Sequence, residues 1–308
     1  MTNVKYKETI AADKKLKAWR KFHVLLITLI PLIGFVLALI LVMGGNPIKP
    51  LDLGLFFGMW LLSGIGITVG FHRHFTHHGF KTSTPVRVIL TIMGCMAAQG
   101  PLIYWVSLHR RHHENSDSEG DPHSPHLEKQ SNWKQLRGLW QAHIGWMFNH
   151  EFPNPIRYAP DLVRDKTISW VNRYYFIWLL IGLAIPTSIG GVLRGSWDGA
   201  FNGFLWGGLV RLFLTENFIW SINSITHVYG CRLFNTNEQS TNNVWLAIPT
   251  LGEAWHNNHH AFPHSAKFGL KWWQVDLGYW VIFTLKAVGL AWDIKVPTAG
   301  MIEFKKSA

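Results

Sequence analysis

Cysteine is scarce in this chain. Cys95 and Cys231 are the only two in 308 residues. Two thiols cannot build an all-cysteine iron–sulfur cluster or a four-cysteine zinc cage, and they make a poor disulfide framework. Acidic residues are also few, 18 against 29 lysines and arginines, for a formal net charge of +11. That excess suits anionic lipid at a membrane face. No basic motif of a nucleic-acid-binding fold accompanies it, so no nucleic-acid partner is expected. Flavin and haem motifs are missing as well. The Glu-x-x-His match at Glu253–His256 has no second copy, which excludes a soluble carboxylate-bridged di-iron bundle on ligand count.

Apolar residues, at 48% with 17 Trp and 19 Phe, are plentiful. Residues 24–46 form an uncharged run long enough to cross a bilayer, with Pro31 tolerable inside it. A link carrying Lys49 and Asp52 leads to a second run at 54–71. Residues 174–193 and 199–222 read as a second pair of spans, the last interrupted by Arg211 and Glu216. Such charges are expected to face the protein interior and pair, or to lie near a span end. The runs at 85–106 and 270–292 read as interfacial helices: Arg87 and Gly100-Pro101 break the first, and Trp272, Trp273, Tyr279 and Trp280 suit an interface in the second. The expected architecture is an all-α integral membrane protein of a single domain. It has a basic tail (1–22), a first transmembrane hairpin (24–71), a cytoplasmic or interfacial segment (72–172), a second hairpin (173–222) and a cytoplasmic helical cap (223–308). Lys5, Lys7, Lys14, Lys15, Lys17, Arg20 and Lys21 place the N-terminal tail, and with it both termini, in the cytoplasm.

Eleven of the seventeen histidines fall in four places: His72, His74, His77 and His78; His109, His112 and His113; His227, four residues after Asn223; and His256, His259 and His260. The four main spans put all four places on one side of the membrane provided that the run at 85–106 does not cross it, which is a further reason to read that run as interfacial. Neutral imidazole is a ligand for iron, copper and zinc. His109/His112/His113 and His256/His259/His260 repeat the spacing i, i+3, i+4, which gathers each trio on one helix face. Six imidazoles exceed what one ion takes, so two metal ions are expected. His72 and His77 are five apart, about 140° around an ideal helix. They share a target only if the helix distorts there, and His74 with His77 or His78 is an equally good pair by geometry. His23, His123, His126, His143, His150 and His264 lie outside these groups and are not expected to be ligands.

The order H-x4-H, H-x2-HH, N-x3-H, H-x2-HH, with Gly120-Asp121-Pro122-His123-Ser124-Pro125 flanking the second box, resembles the membrane fatty acyl desaturases of the stearoyl-CoA Δ9 type over about residues 20–295. The resemblance implies a di-iron site with ligands His72, His77, His109, His112, His113, His227, His256, His259 and His260. Asn223 would reach a metal through water. One ion would take His72, His77, His113, His260 and that water, and the other His109, His112, His227, His256 and His259. His74 and His78 would be bystanders. Trp105 matches a tryptophan lining the family's bent acyl tunnel. Where the animal acyl-CoA enzymes carry an Arg-Asp pair, this chain has Ser107 and Leu108, which leaves a coenzyme A thioester and a lipid-bound chain both open as carriers.

The implied reaction is an O2-dependent desaturation that places a cis double bond, at the Δ9 position in the family pattern, in a saturated fatty acyl chain. Zinc would suit imidazole but has no redox chemistry. Electrons would come from a donor such as cytochrome b5 or a ferredoxin. Membrane lipid surrounds the protein, in a bacterial inner membrane or the endoplasmic reticulum. Competing readings are a lipid or alkane hydroxylase, an acetylenase, and a non-catalytic metal-binding or transport protein. The last predicts histidines along the spans rather than at their ends.

Overall fold

Asp13 starts the first helix by accepting the Leu16 amide on its side chain (2.7 Å), and the helix α1, Lys14–Met43, runs unbroken through Pro31 to Gly44. At about 1.5 Å per residue it is longer than the ~30 Å hydrocarbon core of a bilayer, so its lysine-rich first two turns project beyond the apolar part. The computed structural model describes residues 7–127, 132–149 and 151–307. The second helix, α2 (Pro50–Ile65), begins with proline in its first turn and with Asp52 accepting the Lys49 amide (3.1 Å). It continues without a break as a π-helix over Gly66–Thr76.

Three helical stretches are long and apolar enough to cross a membrane: Lys14–Met43, Pro50–Thr76 and Tyr175–Arg194. The fourth expected span is three consecutive helical segments, Trp197–Asn202, a π-helical Gly203–Val210, and Arg211–Ser224. Both of its charges are buried, but they make no direct ion pair among the described residues. Arg211 donates instead to the carbonyls of Gly207 (3.1 Å), Met96 (2.7 Å) and Gly182 (3.1 Å), which pins three segments together. A salt bridge from Arg194 to the buried Asp52 (2.8 Å) joins the ends of the two hairpins remote from the histidine boxes.

The run at 85–106 is two helices rather than one. The third helix, α3 (Thr84–Cys95), and the fourth, α4 (Leu102–Asn115), are separated by a turn in which Ala98 (φ +60°) and Gly100 (φ +92°) adopt left-handed backbone before Pro101. With 12 residues, α3 is too short to span. The run at 270–292 contains only the eleven-residue helix Leu277–Ala287, with exposed Trp272 before it and exposed Trp280 in its first turn. Gly66 lets the π-helix lie directly on α3, since a Cβ there would come within 2.0 Å of the Gly94 nitrogen. Phe71, Phe75, Cys95, Leu102, Val106, Ile168 and Tyr175 then close one core around the first histidine box. Two short antiparallel pairs, Thr9–Ile10 with Phe152–Pro153 and Lys81–Thr82 with Ala291–Trp292, tie the chain ends to the body.

Candidate metal centre

The π-helix answers the five-residue spacing of the first box. In a π-helix the amide of residue i+5 donates to the carbonyl of residue i, and the His77 amide donates to the His72 carbonyl (3.2 Å). The two rings therefore meet edge to face on one side of the helix, 4.8 Å between centroids. Arg110 secures the end of this segment by donating to the carbonyls of Phe75 (2.6 Å), Thr76 (3.2 Å) and Tyr158 (2.8 Å). His74 turns away and reaches the Phe80 carbonyl with Nδ1 (3.1 Å). His78 has left-handed backbone (φ +51°) and sits exposed beside Arg110 and Asp161.

Two sets of imidazole nitrogens converge. The first is His72, His77, His109, His113 and His259; the second is His112, His227, His256 and His260. Within the first, Nε2 atoms of His72 and His109 are 2.9 Å apart, of His109 and His113 3.1 Å, of His113 and His259 3.0 Å, and of His72 and His259 3.1 Å. In the second, His256 Nε2 lies 3.1 Å from those of His227 and His260. All nine expected ligands are present in these sets. Their division differs from that implied by the family pattern: His109 and His259 belong with His72, and His260 with His112. Helix geometry gives the reason. Residues i and i+4 are about 40° apart and point to one ion, whereas i+3 lies about 60° to the other side. Each trio thus gives a pair to one set (His109 and His113; His256 and His260) and its middle member to the other.

Carboxylates fix several of these rings from behind. His112 Nδ1 donates to Asp121 (2.9 Å), His227 Nδ1 to Asp117 (2.9 Å), and His72 Nδ1 to Glu253. Burial raises the pKa of Asp117 and Asp121, but the imidazoles of His227 and His112 outweigh it, and both stay well below the usual carboxylate range. Burial first, and neighbouring imidazoles second, push His109, His113, His256, His259 and His260 well below the ordinary imidazole value, so these rings are neutral. The donor set then tests itself for a metal. A neutral imidazole with its proton on Nδ1 presents a bare lone pair at Nε2. Lone pairs facing each other at 3 Å repel unless a cation lies between them. Two nitrogens each about 2.1 Å from one ion at right angles are about 3 Å apart, which matches the observed spacing.

The residues between the histidines of the last box are structural. Asn257 Oδ1 accepts the amides of Leu233 (2.8 Å) and Phe234 (2.9 Å), and Asn258 Nδ2 donates to the Phe268 carbonyl (2.8 Å). Sequence reasoning missed Asp117 and Glu253 as partners of the ligand rings. It also missed the backbone support from two of the outlying histidines: His126 Nε2 donates to the His227 carbonyl (2.6 Å), and His264 Nδ1 to that of His77 (2.9 Å). His123 stacks beside His112, 4.5 Å between centroids, and Asp121 accepts its backbone amide. His23 packs its ring against Tyr175 and Phe176. His150 lies outside the described residues. His143 bonds Ser224 Oγ (2.9 Å) and Asn217 Oδ1 (3.2 Å) and belongs to neither set. His143→Ala is expected to leave metal content unchanged and to cost about 1–2 kcal/mol of stability. Elemental analysis beside a thermal melt checks this, and loss of metal would show the ligand sets to be incomplete.

A cavity of about 440 Å³ runs along one side of the centre. His72, His109, His256 and Asn223 contribute to its wall. Trp105 stacks on His109 with centroids 5.0 Å apart and planes 21° apart, and it also lines the cavity. The rest of the wall is mostly apolar and includes Trp60, Leu251, Leu16, Trp19 and Phe176. The volume lies in the range of small-molecule sites.

A family model of fatty acid desaturases matches residues 48–285. This chain belongs to the fatty acid desaturase family. The chain is 54% identical, over 98% of its length and 94% of the relative's, to the hex-5-enoyl acyl-carrier protein acetylenase of Moorena producens (strain JHB). It is 36% identical to the sn-1 stearoyl-lipid 9-desaturase of Anabaena variabilis (77% of this chain, 81% of the relative). The corresponding Synechocystis enzyme (strain ATCC 27184 / PCC 6803 / Kazusa) shares 39% identity (79% and 72%). The chain is accordingly an oxidoreductase acting on fatty acyl chains. Its histidine clusters can hold metal, and its apolar helices are compatible with membrane insertion.

Proposed function

We propose that this desaturase holds two iron ions and removes two hydrogens from a fatty acyl chain lying in the apolar cavity, leaving a cis double bond. The observation that carries the reading is the junction of the two histidine sets with that cavity: His72 and His109 of one set and His256 of the other form part of its wall. His72, His77, His109, His113 and His259 would hold one ion, and His112, His227, His256 and His260 the other. Asn223, which lines the cavity as His72 does, would add a water-mediated contact to the first. When bound, the iron pair supplies with O2 an oxidant strong enough for an unactivated C–H bond. One O2, the two substrate hydrogens, two external electrons and two protons balance as two waters. The chain's own residues position and shield. Trp105, backed by the Phe71 ring, walls the cavity beside His109 and His72, so carbons held there would lie against the metal and away from solvent. The electrons come from a separate donor such as cytochrome b5 or a ferredoxin. Topologically, four spans in two hairpins leave both termini and the metal site on the cytoplasmic side. The basic tail (1–22), the segment 72–172 and the cap (223–308) surround the site.

A second reading, an acetylenase that removes two hydrogens from an existing double bond, is favoured by one observation, the 54% identity to such an enzyme over nearly the whole chain. The same relative suggests the carrier. Ser107 spends its hydroxyl on the Ile103 carbonyl (2.7 Å) and Leu108 lines the cavity, so neither offers a contact to coenzyme A. We take the acyl group to arrive on an acyl-carrier protein. Feeding the iron-loaded enzyme saturated and monounsaturated acyl chains, with mass spectrometry of the products, tests both readings. Loss of two hydrogens supports desaturation, an alkyne product the acetylenase, and gain of one oxygen overturns both.

Chain length has its own test. Trp60, about three helical turns before His72, lines the cavity and donates its indole N–H to the Pro249 carbonyl (3.2 Å), bridging α2 to the 249–251 turn. Trp60→Ala should enlarge the cavity on that side. The variant is expected to accept tails longer by several carbons at the expense of short ones, read as the chain-length profile of products. An unchanged profile would place the limit elsewhere.

A further inference from the structure

We infer that the mouth of the acyl cavity is a docking surface for a small acidic protein that presents the acyl thioester on a flexible pantetheine arm. The surface is built from Lys14, Lys17 and Lys21 on α1, with Arg173 across from them. This rests on the carrier reading above and adds where the carrier binds. The cavity opens beside Leu16, Trp19 and Phe176, which line it yet remain 42%, 58% and 58% exposed. His23 joins the two sides of this opening, with its ring 5.4 Å from that of Phe176. On α1 the cavity-lining residues Leu16, Arg20, His23 and Ile27 follow one helical face. Lys14, Lys17 and Lys21 follow another, 100° or more around the helix from Leu16. On the opposite side, Arg173 ends the helix Lys166–Arg173, three residues before Phe176.

All four cations are exposed, and none makes an ion pair among the described residues. The acids near this region are already engaged: Asp13 caps α1, Glu8 faces Arg157 and Glu151 faces Arg111. The rim therefore carries more positive than negative charge, with cations on both sides that no acid pairs among the described residues. Its lysines point away from the cavity axis, so a charge on the bound chain cannot meet them. A broad acidic surface pressed against the mouth can, while its arm passes between Trp19 and Phe176. Complementary charge of this kind speeds encounter and sets orientation more than it adds affinity. Anionic lipid at the membrane boundary is the other source of negative charge.

The test is charge reversal in the full-length, metal-loaded enzyme: Lys14→Glu, Lys17→Glu and Lys21→Glu together, with the neutral triple Gln variant as an intermediate and thermal melts to confirm folding. Each is assayed with one acyl chain presented on acyl-carrier protein and on free pantetheine. The expected result is a KM for the acyl-carrier protein raised about tenfold by reversal and less by neutralisation, sensitive to salt in the parent enzyme. The KM for the pantetheine thioester is expected to hold. An unchanged KM for the carrier, or equal changes for both substrates, overturns the docking surface. So does loss of binding to phosphatidylglycerol vesicles with no change toward the carrier, which would assign the rim to lipid. If the parent enzyme turns over pantetheine or lipid-bound chains but never the carrier-bound one, the carrier reading itself falls.

Discussion

His259→Ala is expected to empty the first ion site and reduce turnover to background. His259 is fully buried, and its Nε2 sits between those of His72 and His113 at 3.1 and 3.0 Å, so the ring stands in the middle of its set. It also packs on Phe268, 4.4 Å between centroids, and alanine would leave a void there as well as a missing donor. Because one chain of histidines serves both sets, His259 lies three residues from His256 and one from His260 of the second set. Loss of the first ion should therefore loosen the other. His112→Ala should do comparable damage from the other side, since it leaves the Asp121 carboxylate buried without its imidazole. Metal analysis and product formation, read together, check both variants. Full metal content with full activity in either one would remove the assignment. The His143→Ala variant supplies the comparison, since it too deletes a histidine close to the cap.

Much of this centre is visible in the sequence, and the failures have physical causes. The i, i+3, i+4 trios are readable because α-helical spacing is regular, and both trios do lie on helices, Leu102–Asn115 and His256–Ala261. The division of each trio follows the same spacing, i with i+4 and i+3 apart, and it is the family pattern that divides them otherwise. His72 and His77, by contrast, are ambiguous. The π-helix that aligns them has no signature in composition, and it becomes visible only through the packing of Gly66 on Gly94 and the Arg110 contacts at its end. The carboxylates Asp117 and Asp121 both follow the second box by a few residues, yet the contacts that bring them to His227 and His112 join segments up to 110 positions apart. Arg211 shows the same limit in the spans. A charge in an apolar run announces that it will be satisfied, but three backbone carbonyls from separate segments cannot be read from one-dimensional order.

Glu253→Gln is expected to weaken metal binding at the first site by about 10–100-fold, the usual consequence of removing the partner that orients a ligating imidazole. Glu253 gathers four donors: Thr68 Oγ1 (2.6 Å), Arg73 Nε (3.2 Å), an Arg73 terminal nitrogen (3.1 Å) and His72 Nδ1. Burial alone would raise its pKa, but His72 and Arg73 outweigh burial and hold it below the ordinary value, so it is a carboxylate with two cationic or polar neighbours. An amide in its place presents one acceptor and one NH2 group. It can no longer hold the His72 proton on Nδ1 and accept from Arg73 at once. Arg73 keeps Asp276 at 2.8 Å and the face of Phe268 at 4.0 Å. The stability loss should therefore fall short of the ~3–5 kcal/mol typical of a broken buried pair. Two measurements separate the effects: metal titration of the apoprotein for affinity, and a melt of the apoprotein for stability. Weak binding with a modest melting shift is the expected pattern. Unaltered affinity would show that Glu253 serves Arg73 alone, and that His72 is oriented by the other eight imidazoles rather than by the carboxylate behind it.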